Sequence, residues 1–352
     1  MLKLSLLDAE HRALGAKMGA FAGWDMPISY EGTVAEHTAV RERAGIFDVS
    51  HLGKLLVSGP GAAGFLDSQL SNRMVDLGPG RARYTLICND DGGILDDLIV
   101  YAIGDEEYLV VPNASNRDAV AARLMDAAPA DARVEVLDWT TLAVQGPRSR
   151  EIVEALYPEA KDLGYMRVAR AADVVIARSG YTGEVGYEVF TTAADAVAVW
   201  RKLLDDVREV GGMPVGLAAR DTLRLEMGYP LHGNDIGPDT NAAEAGLMWA
   251  VSLQGREFPG AAALREATPA RALIGLVMQD RLIPRHGHPV LVGGRVVGEC
   301  TSGTFSPTLR IGIALAYVEI EAASQTEFEV DVRGKRGRAR AVRPPFVDRS
   351  PK

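Results

Sequence analysis

Two adjacent acids, Asp96 and Asp97, stand inside the apolar run Leu95-Asp-Asp-Leu-Ile-Val-Tyr101. A carboxylate in such company must be paired or put to use. Side chains alternate across a strand, so the two face opposite sides and cannot share a proton as a dyad; at most one lies inward. Asp97 goes with Ile99 and Tyr101, Asp96 with Leu98 and Val100, and parity does not choose between them. Turn or strand-end acids bonded to nearby backbone account for the spacing equally well. A second constellation is Gly180-Tyr-Thr-Gly-Glu-Val-Gly-Tyr-Glu-Val189, where glycine at every third position lets another backbone or a flat ligand approach closely. Glu188, between Tyr187 and Val189-Phe190, is expected to be partly buried and must then be paired. A planar heterocycle with two adjacent N–H donors would satisfy it, and so would an arginine. In the third, Arg220 and Arg224 fall one helical turn apart on the same side. Asp221 can pair with Arg224 across three positions, leaving Arg220 for a buried carboxylate or an anionic ligand.

Other motifs carry less. Gly59-Pro-Gly-Ala-Ala-Gly64 is a formal GxGxxG, but the following strand returns through an Asp-Gly hairpin, whereas a dinucleotide fold needs parallel βαβ repeats. Turn and helix-start glycines explain it. His286-Gly-His288 has no third ligand suggested nearby and reads as a surface loop; His51 and His232 sit beside turns and should make local hydrogen bonds. Nucleophile elbow, Walker loop and zinc spacing are missing, so the expected chemistry uses neither a metal nor a covalent nucleophile.

These residues need a scaffold. Thr33 to Gly45 has the marks of a short helix with Thr33 as start and Gly45 as stop. Gly53–Ser58 is strand-like and 61–70 helical; 83–88 and 94–103 form a long hairpin turned at Asn89-Asp-Asp-Gly-Gly93, extended by 108–111. A helix at 116–127, strands at 133–136, 142–145, 174–177 and 187–190, and helices at 193–210 and 216–227 follow. Beyond residue 270, short strands at 290–297, 310–318, 328–332 and 339–342 suggest a β-barrel or sandwich. The 352 residues bound two or three domains, and 47% apolar with 24% charged composition is that of a folded globular chain. A net charge of −9 argues against nucleic acid or anionic lipid as partner. Two cysteines, Cys88 and Cys300, make no disulfide framework, the N-terminus reads as no targeting segment, and no apolar run reaches membrane-span length. A soluble, cytoplasmic protein is expected.

Seven motifs taken together resemble the T-protein (aminomethyltransferase) family of the glycine cleavage system. They are Phe21-Ala-Gly-Trp-Asp-Met-Pro27, Phe47-Asp-Val-Ser-His51, Gly92 to Val100, Ala143-Val-Gln-Gly-Pro147, Gly180-Tyr-Thr-Gly-Glu184, Ala219 to Glu226 and Thr301 to Leu309. They occur in order from about residue 6 to Pro345-Phe-Val347, nearly the whole chain.

The resemblance implies an α+β enzyme of three domains in a clover-leaf arrangement: antiparallel sheets with flanking helices, a C-terminal β-barrel or jelly-roll-like domain, and folate in a central channel. The expected boundaries are a discontinuous first domain of 1–51 with 138–245, a second of 52–137 and a third of 246–352. The implied reaction releases ammonia from the aminomethyl group on a lipoyl-bearing H-protein and forms 5,10-methylenetetrahydrofolate, with tetrahydrofolate as acceptor co-substrate. Residue by residue, it makes Asp97 the catalytic acid, electrostatic and orienting in role, and places Tyr84, Asn113, Tyr181, Glu188 and Arg220 around the folate, with Glu188 receiving the donor edge of the pterin. His232 departs from the family's frequent tyrosine, and the tail Asp348 to Lys352 lacks an aromatic that some members place near folate, with Arg349 offering a charge instead. Two other readings remain: a folate-dependent demethylase on the same fold, and a non-enzymatic folate-binding iron–sulfur assembly factor, against which the region Glu226 to Gly233 lacks a cysteine.

Overall fold

The computed structural model describes residues 1–351. The chain divides into two compact units: Met1–Ile87 with Asp96–Arg220 and the segment from Ser350, and Cys88–Leu95 with Asp221–Arg349.

The first unit is built on two larger sheets. One has six strands in the order Val168–Ala171, Val174–Ala177, Gly186–Thr192, Trp139–Gln145, Gly45–Asp48, Met213–Pro214. Only the last pair in that sheet is parallel. Alternation gives its strands two working faces. Tyr187 and Val189 point to one, where Trp200, Leu203, Leu204 and Val207 of the helix Ala196–Glu209 complete a core with Ile46, Leu142 and Val144. Glu188 and Phe190 point to the other. There Phe190, Val175 and Ala177 pack against Tyr101 and Leu109 of the second sheet. That sheet runs Ala82–Cys88, Ile94–Gly104, Glu107–Val111, Leu55–Ser58, Arg133–Val136. A three-stranded sheet joins Lys3–Leu4, Trp24–Ser29 and Lys17–Phe21.

In the second unit, Arg271–Met278, Ile311–Glu319, Arg295–Ser306, Pro289–Val292, Glu327–Val332 and Lys335–Val342 close into a barrel, the last strand pairing back onto the first. Leu276, Val290, Cys300, Ala316 and Phe328 are among its buried side chains. Closure decides for a barrel over a sandwich.

Some local expectations are corrected. The segment 290–297 is two strands, because Gly293 and Gly294 both take positive φ (58° and 84°) and turn the chain. Gly45 does not cap the helix Thr33–Glu42 but opens a buried strand, and Gly32 rather than Thr33 is the N-cap. Glu36 still reaches back to that helix start, its Oε1 accepting the Gly32 N–H at 2.9 Å. The strand Arg271–Met278 and the second half of Arg295–Ser306 are additions. The latter is polar in sequence (Thr301-Ser-Gly-Thr), yet its hydroxyls are used inside the unit: Ser302 Oγ donates to Asp235 at 2.8 Å and accepts from Arg224 at 2.9 Å.

Candidate active site

The hairpin sets the two acids. Gly92 supplies φ of 81° at the turn, the Asn89 N–H donates to Gly93 O at 2.9 Å, and the Gly93 N–H returns to Asn89 Oδ1 at 2.7 Å. At the third position of the strand Ile94–Gly104, Asp96 is fully buried (0% exposed). Asp97, on the opposite face, is half-buried. Each Asp97 oxygen has a fixed donor: Asn113 Nδ2 on Oδ1 at 2.8 Å and the Tyr84 hydroxyl on Oδ2 at 2.9 Å. Burial and the Asp97 charge hold Tyr84 well above the ordinary phenol range, so it stays a donor. Tyr84 and Asn113 thus act on the carboxylate itself.

Tyr101 lies on the Asp97 face, four residues along, which places the two Cα atoms roughly 13 Å apart. Its hydroxyl donates to Glu188 Oε2 at 2.9 Å, and Ser179 Oγ donates to the same oxygen at 2.5 Å. Glu188 is therefore held by two hydroxyls rather than by an arginine, and among the described residues its Oε1 takes no hydrogen bond. Arg220 stacks over the Tyr181 ring, 4.8 Å from guanidinium carbon to centroid. Its Nη1 is sealed from solvent without a hydrogen-bond partner among the described residues. Burial pulls the guanidinium below its usual range while the Glu188 charge works the other way. Arg224, by contrast, is taken up by Asp221 and Asp235, at 2.7 and 2.8 Å.

Gly180 and Gly186 make room for a side chain, and Gly183 supplies a φ of 78°. A Cβ at Gly180 would lie 2.0 Å from Gln145 Oε1, and one at Gly186 2.3 Å from Gln145 Nε2. That amide is buried, donating to Ser179 O at 3.1 Å and accepting from Thr182 Oγ1 at 2.8 Å. It fixes the loop from which Ser179 and Tyr181 reach the site. Two glycines of the 59–64 run are likewise structural: Gly59 takes a φ of 113°, and a Cβ at Gly61 would meet the Asp131 carboxylate at 2.3 Å.

Sequence reasoning gave no role to Asp48 or Lys54 and read His51 only as a residue beside a turn. Asp48 accepts from Ser5 Oγ (2.5 Å), Ser50 N (2.9 Å), Ser50 Oγ (2.5 Å) and His11 Nε2 (2.8 Å). Burial pushes its carboxyl up, but these partners win and bring it to about 2. The loop so pinned carries His51, whose ring meets Phe21 edge-on at 5.4 Å and whose Nδ1 has no hydrogen-bond partner among the described residues. Burial, then the Arg220 charge, lower its pKa to about 3, so it is neutral and makes none of the local hydrogen bonds expected of it. His232 Nε2 reaches a distant partner, Ile94 O, at 3.2 Å. Lys54 Nζ donates to Ser50 O and Leu52 O at 2.7 and 2.9 Å, and burial lowers its amine to about 7. The run Phe47-Asp-Val-Ser-His51 was the available signal.

All six expected site residues therefore fall in the first unit, in two groups: Asp97 with Tyr84 and Asn113, and Glu188 with Tyr181 and Arg220. A donor-held carboxylate and a second carboxylate with an open oxygen, on facing sheets, can orient N–H donors and stabilise positive charge. The GCVT N-terminal domain matches residues 7–255 and the glycine cleavage T-protein C-terminal barrel domain residues 271–348. The chain belongs to the glycine cleavage T-protein family, whose members are aminomethyltransferases. It is 48% identical over 352 residues to an aminomethyltransferase of Mycobacterium avium (strain 104), spanning 97% of this chain and 96% of that one. With an aminomethyltransferase of Frankia alni the identity is 50% over 365 residues, covering 100% and 99%. The crystal structure of glycine cleavage system aminomethyltransferase T from Bartonella henselae superposes with a TM-score of 0.95 at 38% identity, covering 99% of each chain. Among the described residues, no helix is long and apolar enough to cross a membrane.

Proposed function

We propose that this aminomethyltransferase takes the methylene of an aminomethyl group carried on the lipoyl arm of an H-protein, releases ammonia, and forms 5,10-methylenetetrahydrofolate. The observation that carries the reading is the donor-held Asp97 carboxylate on the same strand face as the Tyr101–Glu188 pair. The residues fit a reduced pterin on two counts: Arg220 Nη1 is a sealed donor without a partner among the described residues, and Glu188 keeps one oxygen open. Tetrahydrofolate supplies two secondary-amine nitrogens that bind the methylene, and their two protons leave with the ammonia and the thiol. Glu188 would accept the adjacent N–H donors of the pterin edge in a paired, charge-assisted contact, oriented by Tyr101 and Ser179. Arg220 would donate to the ring's carbonyl side, with Tyr181 as its platform. Asp97, at the far end of the face, holds its negative charge where positive charge develops on the transferring carbon and its nitrogens. Tyr84 and Asn113 keep that carboxylate from turning, so no reorganisation is needed during transfer.

The test measures ammonia release and methylene-folate formation from aminomethylated carrier and tetrahydrofolate, for the native chain and Asp97→Ala. Removing a preorganised electrostatic partner should cost roughly 10²–10³-fold in turnover, with folate affinity kept within a few-fold. Equal turnover in the two proteins removes Asp97 from the mechanism. Activity only with a free methyl donor would make the enzyme a demethylase.

A further inference from the structure

Asp96 is the acid that this chemistry leaves unused. Fully buried, it accepts the Asn113 backbone N–H at 3.0 Å, Asn113 Nδ2 at 2.8 Å and Asn116 Nδ2 at 2.7 Å. The same Asn113 Nδ2 lies 2.8 Å from Asp97 Oδ1 and 2.8 Å from the Asp97 carbonyl. Register explains how one side chain reaches both acids. Ile99 pairs with Val111, so a continued ladder would set residue 113 opposite residue 97. Pro112, with no N–H to give, ends the ladder there. The Asn113 side chain takes over, bonding the Asp97 carbonyl and wrapping around the strand from one face to the other.

An amide presents N–H₂ on one side and an acceptor oxygen on the other, in nearly the same shape. An ionised carboxylate only accepts, so Asp96, together with the Asp97 carbonyl, admits only the Asn113 orientation with Nδ2 inward, and Asp96 alone also holds the Asn113 backbone N–H. We propose that Asp96 is a positioning residue that acts through Asn113: by holding both its backbone N–H and its amide it keeps an N–H on Asp97 Oδ1, which aims the Asp97 carboxylate and favours its ionised form. The pair of acids is then one device, with the buried member setting the charge and direction of the other. The inference rests on the reading of Asp97 given above.

Asp96→Asn keeps the shape but can donate as well as accept. One of its two ends then sets N–H₂ against a donor, either the Asn113 backbone N–H or the Asn113 and Asn116 amides, and this pushes the Asn113 N–H off Asp97 Oδ1. Turnover should fall by about 10- to 100-fold while the KM for tetrahydrofolate changes less than about threefold. The acidic limb of the kcat–pH profile should move up by about one unit, because the Asp97 carboxylate has lost a donor. In an Asn113→Ala background the same substitution should add almost nothing to either effect. If thermal melting shows that Asp96→Asn does not fold, Asp96→Ser takes its place, with space for a water at the lost oxygens and the same expected limb shift. Three results overturn the proposal: a folded variant at position 96 with native turnover and limb, lost turnover with the limb unmoved, or an undiminished effect in the Asn113→Ala background. Native turnover in Asp97→Ala is a separate outcome. It removes the underlying reading and this one with it, whereas failure of the relay alone leaves the Asp97 loss intact.

Discussion

Acid should destabilise this protein through His51, a residue that the folded state keeps neutral. The side chain is 3% exposed, and burial with the neighbouring Arg220 charge lowers its pKa from 6.5 to about 3. An unfolded chain takes up a proton at this position near pH 6.5, the folded one only near 3. Native stability is therefore lost as pH falls through that window, and is untouched above it. The loss integrates to about 0.2 kcal/mol at pH 7, about 2 kcal/mol at pH 5 and about 3 kcal/mol at pH 4. His51→Gln removes the titration while keeping a neutral polar side chain of similar length. The stability difference between native protein and variant should then tilt by about 3 kcal/mol toward the variant between pH 7 and pH 4. Urea unfolding of both proteins across that range reads the tilt, since all other titrations cancel in the difference. Parallel stability curves would refute the reasoning, as would a His51 pKa near 6.5 measured by NMR in the folded protein.

Lys54 carries the same sign in an alkaline window. Its amine is lowered to about 7 from 10.5, so the unfolded chain binds the extra proton between those values and native stability rises with pH there. Relative to Lys54→Met, the native protein should gain about 2 kcal/mol from pH 7 to pH 9 in denaturant unfolding, and no change in the difference would show that the amine titrates normally. Gly180→Ala drives a methyl into the buried Gln145 amide and should cost about 1–3 kcal/mol, read as a lower unfolding midpoint. Gly64→Ala, in the helix Ala62–Gln69 with nothing within 4 Å of the added carbon, should instead gain about 0.5–1 kcal/mol. A loss at both positions would show that local space does not set the sign.

The sequence by itself determined whatever repeats with a short period. The Asp-Gly hairpin, the strands 133–136 and 174–177, the placing of Asp96 and Asp97 on opposite faces and the Asp221–Arg224 pair all follow from periods of two or from spacings of three and four. Strand Arg271–Met278 was not legible, because a strand inside a barrel is stabilised by neighbours far away in the chain. The site was legible as residue types and not as partners. Periodicity showed that Glu188 would need a companion, but Tyr101 and Ser179 come from 87 and 9 residues away. It left open which acid is sealed, since a strand has no inside until something packs on one face. The tertiary structure decided that by laying the Tyr101 side of one sheet against the Phe190 side of another, leaving Asp97 half-open on that face and burying Asp96 on the other. It also gave Gly180 and Gly186 to Gln145 and the neutral charge state to His51. Burial and contacts between distant residues are properties of the packed chain, and no local pattern encodes them.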